Sequence, residues 1–328
     1  MAEQPAKVAP APGGTLREYV DCLESVGQVC ALSADGAGAW VPGARGELMR
    51  LPFSRTDPAD PGELRRLLRK PGIWVVSYLL EPDQSHPADC FLYLCRDRSY
   101  EMADLKKRTR AAVRAGLKGL DVRLCSWDEL AEKGYTAYAD TDQRHGYPIP
   151  SRTAYEQFVQ ARRGSKFIDV WGAWDAGELA AWLTVLKLED WALFDAAKSA
   201  TACMGKSPNN ALYYVITRSM LIQENRAWVS SGLSTVQAGV HPLSLHRFKL
   251  RMRHQAVPLR RVFVPHWLLR PMLNTRAAAR FWTRLALTFP KYGVFGKIGG
   301  MSRSITGTEP APLAWAEEEG TTSPPPDD

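Results

Sequence analysis

The residues with chemical potential cluster between Asp195 and Lys249. Lys198 to Asn210 reads as a loop between a strand and a helix. Gly205, Lys206 and Ser207 can there offer backbone N–H groups and a cation to phosphate, with Asn209 and Asn210 in the first helical turn. The same residues also suit a plain helix cap, with Ser207 at the N-cap. Ala200-Thr-Ala-Cys-Met-Gly205-Lys-Ser207 meets a loosened P-loop pattern, yet Pro208 follows directly and no second acidic strand motif offers to hold Mg²⁺, which argues against nucleotide hydrolysis. Asp195, at the end of the preceding strand, has the chemistry of a base, although structural carboxylates outnumber such acids. Ser230, Ser231 and Gly232 close another strand, where glycine permits close approach of a ligand to the backbone; a plain turn has the same composition. Phe248 and Lys249 follow on a helix, with His246 one turn earlier. His241 and His246 lack the glutamate of HExxH, and neither a Gly-x-Ser-x-Gly elbow nor paired cysteine ligands occur, so no metal is expected.

The charge distribution points to an anionic partner. Between Asn225 and Thr308 the chain has 84 residues with 14 Lys and Arg and no Asp or Glu. The formal charge is +7, but six of the 35 carboxylates and none of the 42 bases lie in residues 306–328, so residues 1–305 carry +13. That balance favours CoA, tRNA or an anionic membrane surface. Lys106, Arg110, Arg114 and Lys118 recur every four residues, stacking like charges on one helix face. The stripe reads either as a solvated face or as a contact for a phosphorylated donor or acceptor, which makes Arg110 and Arg114 candidate binding residues.

The elements that must position these residues alternate between strands and helices. Helices are expected near 15–24, 61–69, 102–117, 128–144, 152–163, 209–225 and 243–252. Strands are expected near 29–33, 47–51, 73–80, 90–95, 122–125, 167–174, 179–188, 191–196, 227–230 and 256–264. This is an α/β or α+β layered chain. Residues 1–14 and 306–328 have the composition of unordered tails. The six cysteines have no CxxC spacing, no secretory leader opens the sequence, and no apolar run is long enough to span a bilayer, so a cytoplasmic protein with reduced thiols is expected.

The run Asp104-Leu-Lys-Lys-Arg-Thr-Arg-Ala-Ala-Val-Arg-Ala-Gly-Leu-Lys-Gly-Leu-Asp-Val-Arg123, followed by Asp142-Gln-Arg-His-Gly146, resembles the middle of the Fem family of peptidoglycan-bridge aminoacyltransferases and their FemAB-like relatives in the GNAT (Gcn5-related N-acetyltransferase) superfamily. Gly177-Glu-Leu-Ala-Ala-Trp-Leu, Ser230-Ser-Gly, Leu245-His-Arg-Phe-Lys249 and Ala256-Val-Pro258 look like that family's final domain. The resemblance covers roughly residues 73–264, and the second half is the better match. It implies two GNAT-like lobes with mixed central sheets, here 15–146 and 147–264, and transfer of an acyl or aminoacyl group onto an amine. It also implies a charge-steadying role for Lys249, carried by the Phe-Lys pair. The chain departs from the superfamily's (Gln/Arg)-x-x-Gly-x-(Gly/Ala) signature in the 198–210 loop, which leaves the donor's identity open.

The function expected is therefore an N-acyltransferase with acyl-CoA as donor, preferred over tRNA because no long coiled-coil arm is legible. The alternative is a non-catalytic GNAT-like module that binds an anionic membrane or nucleic acid. The basic segment 265–305 contains an amphipathic helix, His266 to Phe289, interrupted at Pro271. It either lies on an anionic bilayer, making the protein peripheral to the membrane, or docks on the rear lobe with its arginines snorkelling to water.

Overall fold

The computed structural model describes residues 8–44, 46–237, 243–289 and 292–308, so His241 lies outside the described residues. The front of the chain runs α1 (Leu16–Ser25), β1 (Ala31–Leu32), β2 (Ala39–Pro42), β3 (Glu47–Leu51), α2 (Pro61–Leu68), β4 (Val75–Leu80) and β5 (Cys90–Cys95). It continues through α3 (Lys107–Gly119), β6 (Asp121–Leu124), α4 (Trp127–Lys133), α5 (Tyr135–Arg144) and α6 (Arg152–Gln160). The rear comprises β7 (Ile168–Asp175), β8 (Glu178–Leu188), β9 (Trp191–Ser199), α7 (Pro208–Arg218), β10 (Trp228–Leu233), α8 (Leu243–Arg251), β11 (Gln255–Pro265), α9 (Arg270–Leu273), α10 (Arg276–Thr288) and α11 (Gly293–Thr306).

All eleven strands join one mixed sheet in the order β1-β2-β3-β4-β11-β5-β10-β9-β8-β7-β6. The sheet does not divide at residue 147: β5 lies between β11 and β10, and β6 pairs with β7 at the far edge. β11 joins the halves, pairing Gln255–Leu259 with β5 and Arg260–Pro265 with β4. Alternation along β7 and β8 explains the layering. Trp171, Ala173, Leu183 and Val185 pack with Leu212, Ile216 and Val113 from α7 and α3, while Val170, Trp174 and Trp182 meet Leu130, Ala137 and Tyr155 from α4 to α6 on the opposite face.

The long helix expected over 128–144 is broken at Gly134, where a Cβ would collide with the Tyr155 hydroxyl. The N-terminal tail expected to be unordered up to residue 14 is held from Ala11 onward. The Ala11 N–H donates to buried Asp169, Gly13 N–H to the Lys166 carbonyl, and Gly14 bridges to Leu188. Burying the Asp169–Lys187 pair demands such donors, so the strand edge recruits a segment whose composition alone gives no reason to order.

Candidate active site

The site begins with a parallel pair of strands. α7 is the crossover that lets β9 and β10 run parallel. They pair at Trp228↔Trp191, Val229↔Ala192 and Ser230↔Leu193, and there the pairing stops. Beyond this point β10 follows β5, while β9 bends at a bulge: Phe194 opposes Val185 and Ala196 opposes Thr184, leaving Asp195 as the extra residue. The strands open into a cavity of about 450 Å³ lined by Asp195, Ser199, Asn209, Ser231, Phe248 and Lys249, among others.

Lys249 defines its chemistry. α8 turns His246 and Lys249 inward, and Lys249 is only 4% exposed. Its Nζ donates to the Ser231 carbonyl at 2.7 Å and sits 4.2 Å from the centroid of the Tyr93 ring. Burial lowers its pKa to about 7, because the charged form loses solvent. An ammonium has three N–H donors, and among the described residues Ser231 is its only hydrogen-bond partner, which leaves donor capacity for a ligand. Ser231 is a cavity-lining residue whose Oγ is buried and has no hydrogen-bond partner among the described residues. A buried hydroxyl in that state is costly unless something occupies the cavity. His246 stands behind this pair, its Nδ1 2.9 Å from the Tyr93 hydroxyl, and is not among the lining residues. His254 is held neutral, its pKa lowered to about 3 by burial and then by the charge of Lys249.

The other sequence-derived candidates separate into those at the cavity and those away from it. Asp195 lines it; its carboxylate accepts from Thr184 Oγ1 at 3.4 Å and lies 3.7 Å from Arg162 Nε. Ser230 Oγ instead donates to the Tyr93 carbonyl and accepts from the Gly232 N–H, an internal brace at the divergence. Gly232 has φ +79°, the left-handed conformation that favours glycine. Phe248 packs edge-on against Tyr213 of α7, ring centroids 4.8 Å apart.

The 198–210 loop folds as a 3-10 turn, Thr201–Lys206, before α7. Ser207 takes the N-cap place at φ 55° without a side-chain capping bond, and Asn209 lines the cavity. Asn210 turns its amide to the Met252 sulfur, and the open flank of Gly205 meets nothing within 4 Å. Lys206 pairs with Asp175 at 2.6 Å rather than facing the cavity. Arg110 caps the Ala103 and Leu105 carbonyls, and Arg114 is exposed on α3; neither lines the cavity.

Three participants escaped sequence reasoning. Tyr93 lies under the ammonium. Arg144 donates to Thr201 Oγ1, the Ser199 carbonyl and Ser199 Oγ, clamping the loop, and His145 joins it on the cavity wall. A tyrosine inside the wholly apolar run Cys90–Cys95 and the Arg-His pair at 144–145 were the available signals.

No family model matches the sequence, and no curated protein matches it. Solved structures do. The C-terminal DUF2156 domain of a protein described as a lysylphosphatidylglycerol synthetase, from Agrobacterium fabrum, is 13% identical, with 82% of this chain and 91% of that one covered at a TM-score of 0.50. FemX is 9% identical, with 80% of this chain and 95% of that one covered at a TM-score of 0.52. Such identities speak for the fold. The chain shares its mixed α/β fold with FemX and the DUF2156 domain, the fold class expected from the resemblance, and carries a C-terminal helical segment.

Proposed function

We propose that the protein is an N-acyltransferase whose reaction takes place where β9 and β10 part. The observation that carries this reading is the pairing, in one cavity, of a buried Lys249 ammonium with a buried Ser231 hydroxyl that lacks a partner. An activated carbonyl placed there meets two donors suited to the oxyanion that forms when an amine attacks. The C–N bond forms as the C–S bond of a thioester, or the C–O bond of an ester, breaks, and the proton lost by the amine passes to the departing carrier sulfur or oxygen, giving amide plus free thiol or hydroxyl. Phe194, Tyr213 and Phe248 supply an apolar part of the cavity wall beside these donors, where a bound acyl chain would displace water.

The donor in this reading is acyl-CoA. Its phosphates would meet the first turn of α7, where Asn209 and Asn210 offer N–H groups without a side-chain cap, with Arg144 and His145 on the cavity wall. A second reading, an aminoacyl group carried by tRNA, presents the same site with an ester carbonyl on a polyanionic carrier, which the +13 charge of residues 1–305 suits. Incubation with labelled acyl-CoA or charged tRNA and a panel of amines, followed by mass spectrometry of the products, tests both. Wild type should transfer label from one carrier class and Lys249→Met should not, at an undiminished melting temperature. Full transfer by Lys249→Met would remove Lys249 from the mechanism.

A further inference from the structure

We infer that the C-terminal helices dock this protein on an anionic lipid bilayer, with the aromatic residues at the α10–α11 junction as the inserted edge. α10 buries Ala279 and Ala286 and packs chiefly against α11, so its opposite face is exposed among the described residues. Arg280 and Arg284 are exposed on that face, whereas Arg276 lines a cavity with Asp89 and Arg303. Beside them Phe281 is 56% exposed, Leu287 65%, Phe289 46% and Tyr292 61%. The rings are continuous: Phe281 contacts Trp282 at 5.2 Å, Trp282 contacts Phe295 at 6.2 Å, and Phe295 contacts Tyr292 at 6.0 Å and Phe289 at 6.3 Å. Of the 15 large hydrophobic side chains exposed among the described residues, eight fall between Trp267 and Val294, too concentrated for incidental exposure.

The occupant follows from charge. This face lies within the run that has no carboxylate from Asn225 to Thr308, so a second copy would set arginine against arginine. A nucleic acid would satisfy the arginines and leave Leu287 and Phe289 in water. An anionic bilayer satisfies both, since headgroups pair with the arginines while the rings enter the acyl boundary. No helix among the described residues is long and apolar enough to cross a membrane, so the contact is interfacial. The edge also adjoins the candidate active site. A Cβ on Gly293 would lie 3.4 Å from the Tyr147 ring, and that ring is 6.3 Å from His145 on the cavity wall.

Co-sedimentation of the full chain with vesicles tests the inference. Binding is expected to phosphatidylcholine vesicles containing phosphatidylglycerol, several-fold weaker to phosphatidylcholine alone, and weaker as salt rises. Phe289→Ser with Tyr292→Ser, and separately Arg280→Gln with Arg284→Gln, should each lower the bound fraction several-fold at unchanged melting temperature. The inference is overturned by absence of binding to the anionic vesicles or by ring variants that bind as wild type does. A concentration-dependent dimer that the ring substitutions abolish overturns it too, because a second copy would then be what covers the face.

Discussion

Lys249 couples stability to pH in a direction that can be worked out. Its folded pKa of about 7 lies below the ordinary 10.5, so between those values the unfolded chain binds the extra proton. The stability Lys249 forfeits is therefore largest below pH 7 and is regained as pH rises toward 10.5. Lys249→Met should be at least as stable as wild type at pH 7, by up to roughly a few kcal/mol, with the gap narrowing at pH 10. Melting curves of both proteins at the two pH values check this, and a gap that ignores pH would contradict it. Lys249→Arg, which keeps its charge, should extend activity to higher pH than wild type, because the wild-type ammonium is lost near pH 7. Ser231→Ala should lower kcat by roughly 10²-fold without loss of melting temperature, because the hydroxyl removed has no partner in the folded protein. A kcat within twofold of wild type would count against Ser231 as an oxyanion donor. The Phe-Lys pair was legible in the sequence, whereas Tyr93 was not, because its role arises from a strand more than 150 residues away meeting α8.

Among the elements, close helix approach sets the site's frame. A Cβ on Gly116 of α3 would lie 2.9 Å from the Ala211 Cβ and 3.0 Å from the Ser207 carbonyl oxygen. Gly116→Ala should therefore push α3 from α7 and shift the 201–207 turn. A net destabilisation of about 1–3 kcal/mol is expected despite alanine's better helix propensity, together with weaker donor binding. Chemical denaturation and ligand titration of the variant report the two effects; a stabilised variant with unchanged affinity would show that the contact is slack. The same physics explains an element that propensity hides. α11 begins Gly-Val-Phe-Gly-Lys-Ile-Gly-Gly, a poor helix former, yet Gly296, Gly299 and Gly300 are buried, and a Cβ on Gly300 would collide with the Val236 carbonyl oxygen. Strands such as β5, β7 and β8 were legible as near-continuous apolar runs bounded by turn residues. β2 escaped because four residues between Gly38 and Gly43 carry no period.

At the scale of the whole molecule, the α/β class and the basic rear were readable from order and composition. Strand order was not. That β11 would pair with β5 by one half and β4 by the other depends on long-range registers that no local pattern encodes. The fold's consequence is a single sheet in which β10 parts from β9 beside Lys249, and donor binding is expected at that opening. Thermal shift across CoA, acyl-CoA, and charged and uncharged tRNA tests this most directly when wild type is compared with Ser231→Phe, whose ring would fill the cavity beside Lys249. A ligand bound only by the native state raises the melting temperature. One carrier class is expected to do so for wild type and not for Ser231→Phe. An equal shift in both proteins, or none from any carrier, would contradict it.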